Sequence, residues 1–551
     1  MPAHTPLLRG LRSLLCDHHR ARAHGVPVEA LAERRAAASE HAARLPRRAI
    51  LAGIGAGTIA LRLPRIARAH EAPRVAIVGA GIAGLTAALE LADHGVRATV
   101  YEASDRVGGR MFSCSGYFDE GQVSEWCAEL LDSDNVALFD LAARFGLDVD
   151  DLLAGQAPGA EDTFFLEAGY YDKAQADADF AAVVPALEAD FAAAGPVTRH
   201  DTGSPAARAL DAMSVHAWIA SRVPGGHRAP LGQLLDLAYV IEHGAETADQ
   251  SALDLIGYLG RRPEPHPMEA ESASLMMFGA SDERYHVRGG NEQIPAAIAR
   301  ALGDAVVCGH RLIRVESTPA GRSVLTFARG PGVVEVVADL VVLALPFAVL
   351  REIDHERAGF DARKVLAIEA LGRARSGKTQ VQLSDRIWAQ RGPWPGVSSG
   401  TSYSDTGYQC SWEVSRAQPG TSGVLVFYSG GPVASALTSR SAFATGASAE
   451  VRADARLALD RAEPVFPGLS ARWNGKATES LPHLSDLRRA SYSYRRVGQW
   501  TAFGGHEGAR QGNVLFAGEH TSLTHPAHME GAAREGQRAA REILSLLAVH
   551  P

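Results

Sequence analysis

Cysteine is scarce in this chain. The five present, Cys16, Cys114, Cys127, Cys308 and Cys410, include no C-x-x-C pair, so a structural zinc site or a redox dithiol is not expected. Excess positive charge is also missing. Against 55 Lys+Arg stand 63 Asp+Glu, a net −8, which argues against a nucleic-acid partner. The one notable apolar run near the N-terminus, residues 50–61, is too short and glycine-rich to span a bilayer. No tandem repeat or low-complexity block occurs from Arg74 to the end. What remains is ordinary for a soluble globular protein, 46% hydrophobic and 21% charged. At 551 residues it allows two to four domains.

Residues 74–112, RVAIVGAGIAGLTAALELADHGVRATVYEASDRVGGRMF, organise the rest. The β-branched run 74–78 reads as a buried parallel strand. Gly79, Gly81 and Gly84 follow as G-x-G-x-x-G. The first glycine permits a tight turn, the second lets a pyrophosphate approach the backbone, and the third lets the next helix sit close on the strand. Together with Ala83 they are the candidate cofactor contacts of this turn. Residues 82–94 carry helical spacing and Gly95 stops the helix. Residues 98–101 form the second strand, and Glu102 at its end stands where a carboxylate takes a ribose hydroxyl. This pattern calls for a dinucleotide without separating NAD from FAD.

The separation comes just beyond Glu102. Arg106, Gly108, Gly109 and Arg110 spell R-V-G-G-R, which resembles the second signature of the flavin amine oxidase family. The resemblance implies that these arginines meet the FAD pyrophosphate, a role that suits the guanidinium fork. It implies an α/β fold of the monoamine oxidase and hydroxybenzoate hydroxylase type, with a Rossmann-like FAD domain assembled from separate pieces and an interleaved α+β substrate domain. The expected segments are 70–146, 283–346 and 490–551 for the FAD domain, 147–282 for a helical insert, and 347–489 for a mixed substrate-domain sheet.

Residues 1–69 differ in character. Arg47-Arg48 precede the apolar run, and Ala67-Arg68-Ala69 offers an A-x-A cleavage site. The pattern resembles a twin-arginine export signal, implying a periplasmic or secreted protein; an uncleaved extension of a cytoplasmic protein is the alternative.

Between the two ends, 135–145 reads as an amphipathic helix, 174–194 as one long helix, and 213–222, 231–242 and 250–259 as further helices of a cap over the site. Before the first of these lie Cys127-Ala128 and Glu129, where the family often has two glycines. Glu129 is either a partner for a cationic amine or a partly exposed acid. Strands are expected at 311–315, 323–327 and 340–344, then across 398–430, with a helix at 449–462. The resemblance makes Leu312 part of the strand whose backbone holds the adenine. It also matches Lys378 and Trp388, ten positions apart. In the relatives that lysine holds a water on the flavin N5, and Trp388 becomes a candidate beside the substrate.

The C-terminal pieces complete the pattern. F-A-G-E, ending in Gly518 and Glu519, implies an acid that accepts a ribityl hydroxyl. Met529, opening M-E-G-A-A, implies a helix whose N-terminus faces the flavin C2 carbonyl. Monoamine oxidases place two aromatic rings before the flavin; Tyr492 fits one position, His528 holds the other, and Trp500 is offered as a substitute ring. Ser491 stands where those enzymes carry a flavin-linked cysteine, so FAD is expected to be non-covalent. The implied activity is oxidation of a small-molecule amine to an imine, with O2 reduced to hydrogen peroxide. An L-amino-acid oxidase is the first rival and needs a cation for the substrate carboxylate, with Arg288 and Arg495 as candidates. A dehydrogenase with another electron acceptor and a flavin-holding protein without turnover are the others. No metal, nucleic acid or stable membrane insertion is expected, and a homodimer is a possible assembly.

Overall fold

Val75–Val78 alternates its side chains between two cores, and the whole nucleotide domain follows from that alternation. Val75 and Ile77 face the helix Ile82–Asp93 and the C-terminal helix Met529–Ala548. Ala76 and Val78 face a three-stranded antiparallel sheet of Arg311–Ser317, Ser323–Arg329 and Gly332–Ala338. The strand is therefore buried on both sides, as its unbroken apolar sequence requires. This computed structural model describes residues 73–195, 197–260 and 281–548. The expected export segment 1–69 and residues 261–280 of the insert lie outside them. The remainder clusters as one compact unit.

Val75–Val78 sits at the centre of a five-stranded parallel sheet. Leu340–Leu343 and then Val514–Phe516 flank it on one side, Ala98–Tyr101 and Val306–Val307 on the other. Gly79 turns the chain out of the central strand at φ +103°, and a Cβ there would lie 2.7 Å from the Ala344 carbonyl oxygen. At Gly84 a Cβ would lie 2.0 Å from the Gly79 carbonyl oxygen. Any larger residue at either position would push the helix off the sheet.

The second sheet has eight strands, ordered Phe443–Thr445, Trp473–Ser480, Ser376–Leu383, Gly423–Gly430, Gln409–Glu413, Val397–Ser404, Ala160–Leu166 and Gly169–Tyr171. Its last two strands correct the expectation of a purely helical insert. Ala160–Leu166 lies parallel to Val397–Ser404 and buries Phe164, Phe165 and Leu166. The expected long helix 174–194 is also two helices, Lys173–Ala181 and Val184–Ala194. Pro185 stands in the first turn of the second, where its missing amide costs nothing and its ring prevents continuation of the first. The helices Val215–Arg222, Pro230–His243 and Ala252–Leu259 match expectation within two residues at each end. Among the described residues, no helix is long and apolar enough to cross a membrane.

Glu530, fully buried, joins the first and last pieces of the nucleotide domain. Its carboxylate accepts from the backbone amides of Ala137 (2.9 Å) and Leu138 (3.0 Å), at the otherwise uncapped N-terminus of the helix Val136–Arg144. It also pairs with Arg534 at 2.5 Å. A carboxylate there satisfies orphan helix donors and complements the helix dipole. Replacing Glu530 with Ala leaves two buried amides without partners and should cost roughly 2–4 kcal/mol. Glu530→Gln, which keeps one acceptor oxygen, should lose less. Denaturant midpoints of the three proteins check the order; equal midpoints would remove the capping role.

Candidate active site

Four parallel strands deliver their C-terminal ends to one place. Gly79 and Gly81 follow the first, Glu102 the second, Ala344-Leu345-Pro346 the third, and Gly518-Glu519 the fourth. A cavity of about 1140 Å³ opens there and continues under the eight-stranded sheet. Ligand sites outside the carboxyl ends of parallel strands are the rule for such sheets. Of the residues assigned to the cofactor from sequence, Gly79, Gly81, Ala83, Glu102, Arg106, Gly108, Gly109, Arg110, Leu312, Gly518, Glu519 and Met529 all border this cavity. Gly84 does not, because its role is the helix–strand contact described above.

The cradle's polar groups are held by one another. Glu102 accepts from the Ala80 amide (2.8 Å) with one oxygen and from the Ser104 amide and hydroxyl (both 2.9 Å) with the other. Arg106 donates to the carbonyls of Val107 (2.6 Å) and Gly109 (2.5 Å), and its guanidinium lies 3.9 Å from the Phe112 ring centroid. Arg110 donates to Glu519 (2.9 Å) and to the Ser491 carbonyl (3.0 Å). The other Glu519 oxygen takes the Ser493 hydroxyl (2.7 Å) and the Ala527 amide (3.0 Å). Burial works to raise the Glu519 carboxyl, and Arg110 overrides it, leaving it below the ordinary carboxylate range. Arg488 and Arg489 add two guanidiniums to the wall. Nothing in their sequence surroundings pointed to them.

Deeper in, Lys378 donates to Glu129 (2.6 Å) and to the Cys127 carbonyl (2.8 Å). Both side chains are almost fully buried. The second Glu129 oxygen accepts from the Trp412 indole (2.8 Å). Glu129, expected either to partner a cationic amine or to be a partly exposed acid, is thus buried, with one oxygen on Lys378 and the other on Trp412. A lysine ammonium has three donors, so these contacts leave Lys378 one. Burial pushes the Glu129 carboxyl up, and Lys378 together with the Trp412 hydrogen bond more than reverses it, so it sits below the ordinary value.

Tyr492 lines the same chamber. Its hydroxyl meets those of Ser376 (3.1 Å) and Tyr428 (3.0 Å) and the Ile241 carbonyl (3.1 Å). Burial raises the Tyr492 phenol far above its usual range, so this cluster stays uncharged. Tyr428 packs 5.2 Å from Trp412, ring centre to ring centre. Neither Tyr428 nor Trp412 was picked out from sequence. Both belong to the alternating run 398–430, but alternation alone does not say which face meets the cavity. His528 is also on the wall, 6.2 Å from Tyr258 between ring centres.

Four expected residues are placed elsewhere. Trp388 is fully buried among Val381, Leu383 and Phe466 and donates to Glu413 (2.9 Å). Trp500 donates to Asp254 (2.7 Å) and stacks under Arg495, whose guanidinium is 4.0 Å from its ring centroid. Neither tryptophan borders the main cavity, so neither is a ring beside the reacting centre. Arg495 is itself buried and paired with Glu507 (2.8 Å), and Arg288 is paired with Asp148 and Asp150 near the surface. Both are therefore unsuited to hold a substrate carboxylate in the cavity.

Residues 82–544 match the family model described as flavin containing amine oxidoreductase. The chain belongs to this family. An L-amino-acid oxidase from Siganus canaliculatus is 23% identical over 495 residues, covering 87% of this chain and 86% of that protein. A tryptophan 2-monooxygenase from Agrobacterium tumefaciens (strain Ach5) is 39% identical, over 98 residues only, or 18% of this chain and 13% of that protein. Among solved structures, cyclohexylamine oxidase from Brevibacterium oxydans IH-35A superposes with a TM-score of 0.71 at 22% identity, covering 87% of this chain and all of that one. Putrescine oxidase bound to putrescine gives 0.68 at 21%, covering 86% of this chain and 99% of that one. These structural likenesses establish the fold.

For this flavin amine oxidoreductase the cofactor is a flavin, FAD, and the cradle fits it. The helix Ile82–Asp93 starts at Gly81 with no side-chain cap, so its first amides are open to a pyrophosphate. Arg106, Arg110, Arg488 and Arg489 supply positive charge along the wall. Leu312 borders the cavity from the strand Arg311–Ser317.

The Lys378–Glu129 pair has a stability signature. Glu129→Gln leaves a buried ammonium without its counter-ion and should cost about 3–5 kcal/mol. Because the folded Glu129 carboxyl lies below its unfolded value of about 4.3, its contribution is complete above that pH and is lost as pH falls through the folded value. Unfolding free energies measured from pH 7 downward should show that loss in the parent and a shallower slope in Glu129→Gln. Parallel slopes would mean that the pair is not formed.

Proposed function

We propose that this protein oxidises the C–N bond of a primary or secondary amine and uses O2 as electron acceptor. The observation that carries the reading is the charge of the inner cavity. Asp162, Glu242, Asp282 and Glu283 line it, while Lys378 is neutralised by Glu129. Enclosure by the protein pushes the carboxyls of Asp162, Glu242 and Glu283 upward, assisted for Glu283 by Asp132 and Glu242. A cationic amine entering among them would draw all three back toward the ionised form.

The chain's own groups then prepare the amine. The acids attract the ammonium form, whose free pKa is near that of lysine, about 10.4. The uncharged cluster of Tyr492, Tyr428 and Ser376, beside Trp412, favours the neutral amine by desolvation. FAD held by the Gly81 turn, Arg106, Arg110 and Glu519 would supply the two-electron oxidation of the amine and the return of those electrons to O2 as hydrogen peroxide. The imine product hydrolyses to an aldehyde or ketone and ammonia or a smaller amine. Lys378, paired with Glu129, has one donor left over, which we assign to hydrogen-bonding during reoxidation by O2. His528 stands beside Glu242 and Tyr258 on the cavity wall.

One observation favours a second reading, an L-amino acid as substrate. Arg416 is buried, borders the inner cavity, and among the described residues donates only through Nε, to the Glu413 carbonyl (2.9 Å). Its remaining guanidinium donors suit a substrate carboxylate, and the long sequence match to L-amino-acid oxidases agrees with it. Peroxide release from matched pairs of amines and their α-carboxylated counterparts separates the readings. Faster turnover of the amines supports amine oxidation. Preference for the amino acids, abolished by Arg416→Met, supports the second reading.

Ser491 in place of a linking cysteine supports non-covalent FAD, which acid precipitation should release into the supernatant; yellow colour retained in the pellet would contradict it. Replacing Lys378 with Met should slow reoxidation by O2 on the order of 10²-fold and anaerobic reduction by substrate far less. Stopped-flow traces of the two half-reactions measure this, and equal effects on both would remove Lys378 from the oxygen step.

A further inference from the structure

Outside the flavin cavity, three side chains converge without a use in the chemistry above. His216 lies on the helix Val215–Arg222, His227 in the single turn Gly226–Arg228, and Asp236 on the helix Pro230–His243. The donor atoms of all three fall within 4.8 Å of one another. His216 Nδ1 is 3.8 Å and His227 Nδ1 3.7 Å from the same oxygen, Asp236 Oδ1. The two imidazoles stack, with ring centres 3.8 Å apart and planes 16° from parallel.

The hydrogen bonds fix what these atoms present to each other. His227 Nε2 lies 3.0 Å from the His216 carbonyl oxygen. A carbonyl only accepts, so Nε2 carries the proton. In the neutral ring the lone pair is then on Nδ1, aimed at a carboxylate oxygen. An imidazole whose outer N–H is held by a backbone carbonyl is the usual arrangement of a metal-bound histidine. Asp236 Oδ1 is oriented in turn by the Thr247 hydroxyl. The three donor atoms lie close enough to share one cation once the half-exposed His216 ring turns out of the stack.

We propose that His216, His227 and Asp236 form a binding site for a divalent transition-metal ion of the Zn2+ type. Two histidines and a carboxylate with a water in the fourth position are a common zinc coordination set. Bonds of about 2.0–2.1 Å in a tetrahedron place donors roughly 3.3 Å apart, so the 3.7 and 3.8 Å to the carboxylate must close by less than half an ångström, and the two imidazole nitrogens, which lie within 4.8 Å of one another, must also draw together as His216 turns. His216, the most exposed of the three, leaves the fourth position open to solvent. Oxygen-preferring Mg2+ and Ca2+ do not suit two imidazoles. The ion would clamp the helix Val215–Arg222 to Pro230–His243, which carries Glu242 to the cavity and whose Ile241 carbonyl accepts from Tyr492.

The test is calorimetric titration of ZnCl2 into the full-length flavoprotein, with MgCl2 as control, beside His227→Ala and Asp236→Asn. The chain has 21 histidines, so the site is read as a difference. The parent should bind one Zn2+ more than either variant, or bind that equivalent at least tenfold more tightly, and Zn2+ should raise its melting temperature more. Superimposable isotherms for parent and variants would overturn the proposal. Should the variants fail to fold, judged by a lost flavin spectrum, anomalous scattering from zinc-soaked crystals of the parent decides: a peak among the three side chains supports the site, and its absence there refutes it.

Discussion

An ion pair between residues 409 positions apart closes the nucleotide site. Arg110 comes from the second glycine turn, Glu519 from the end of the last parallel strand. Their 2.9 Å contact also gathers the segment around Ser491 and Ser493, and the Ala527 amide ahead of the final helix. A carboxylate only 4% exposed is expensive to bury, and it persists because each oxygen has partners. The same logic applies to Glu129 and Lys378, and to Glu530 on its helix end. In all three cases an acid holds together pieces of chain that the sequence keeps far apart. Such contacts are net stabilising only when complete, since removal of one partner leaves a buried charge or amide uncompensated.

This arrangement has a topological consequence. The central strand Val75–Val78 obtains one neighbour from residues 340–343, and the next strand out comes from residues 514–516. The helix Ile82–Asp93 obtains its main packing partner from the end of the chain. The nucleotide domain is thus completed only after the substrate domain between its pieces has been traversed. Closing loops of that length costs little more than closing moderately long ones, so the interleaving penalises folding speed more than stability. It also makes the cavity a property of both domains: its floor is the strand ends, and its far wall is the eight-stranded sheet and the cap helices.

Placement within that cavity explains a division of labour. The strand ends supply glycines, amides and arginines, which suit phosphates. The eight-stranded sheet supplies Lys378, Trp412 and Tyr428 from neighbouring strands, and the cap supplies Glu242. These sets meet between the neutral hydroxyls around Tyr492 and the Lys378–Glu129 pair. Lys378 is compensated by Glu129 on one side, while Asp162, Glu242 and Glu283 line the other with carboxyls raised by burial.

The cofactor half was legible in the amino-acid sequence, because its chemistry depends on backbone. A glycine at a positive φ or against a carbonyl is dictated by local sterics, so Gly79, Gly84 and the R-V-G-G-R turn declare themselves without knowledge of distant contacts. The strands and helices that carry them are equally local, set by hydrophobic period and stop residues. The substrate half was decided by tertiary structure. Trp388 and Trp412 look alike as tryptophans in a sheet region, yet Trp412 faces the cavity from the strand Gln409–Glu413, whereas Trp388 falls in the turn Ile387–Ala389 past the end of Ser376–Leu383 and is sealed in the core. The insert's two strands were hidden for the same reason: Ala160–Leu166 is a strand only because Val397–Ser404 is beside it. Glu129 ceased to be a free acid once Lys378 and Trp412, some 250 and 283 residues away, were brought against it. Sequence determines where the backbone must bend and which segments are periodic; which polar side chains find each other is an outcome of packing.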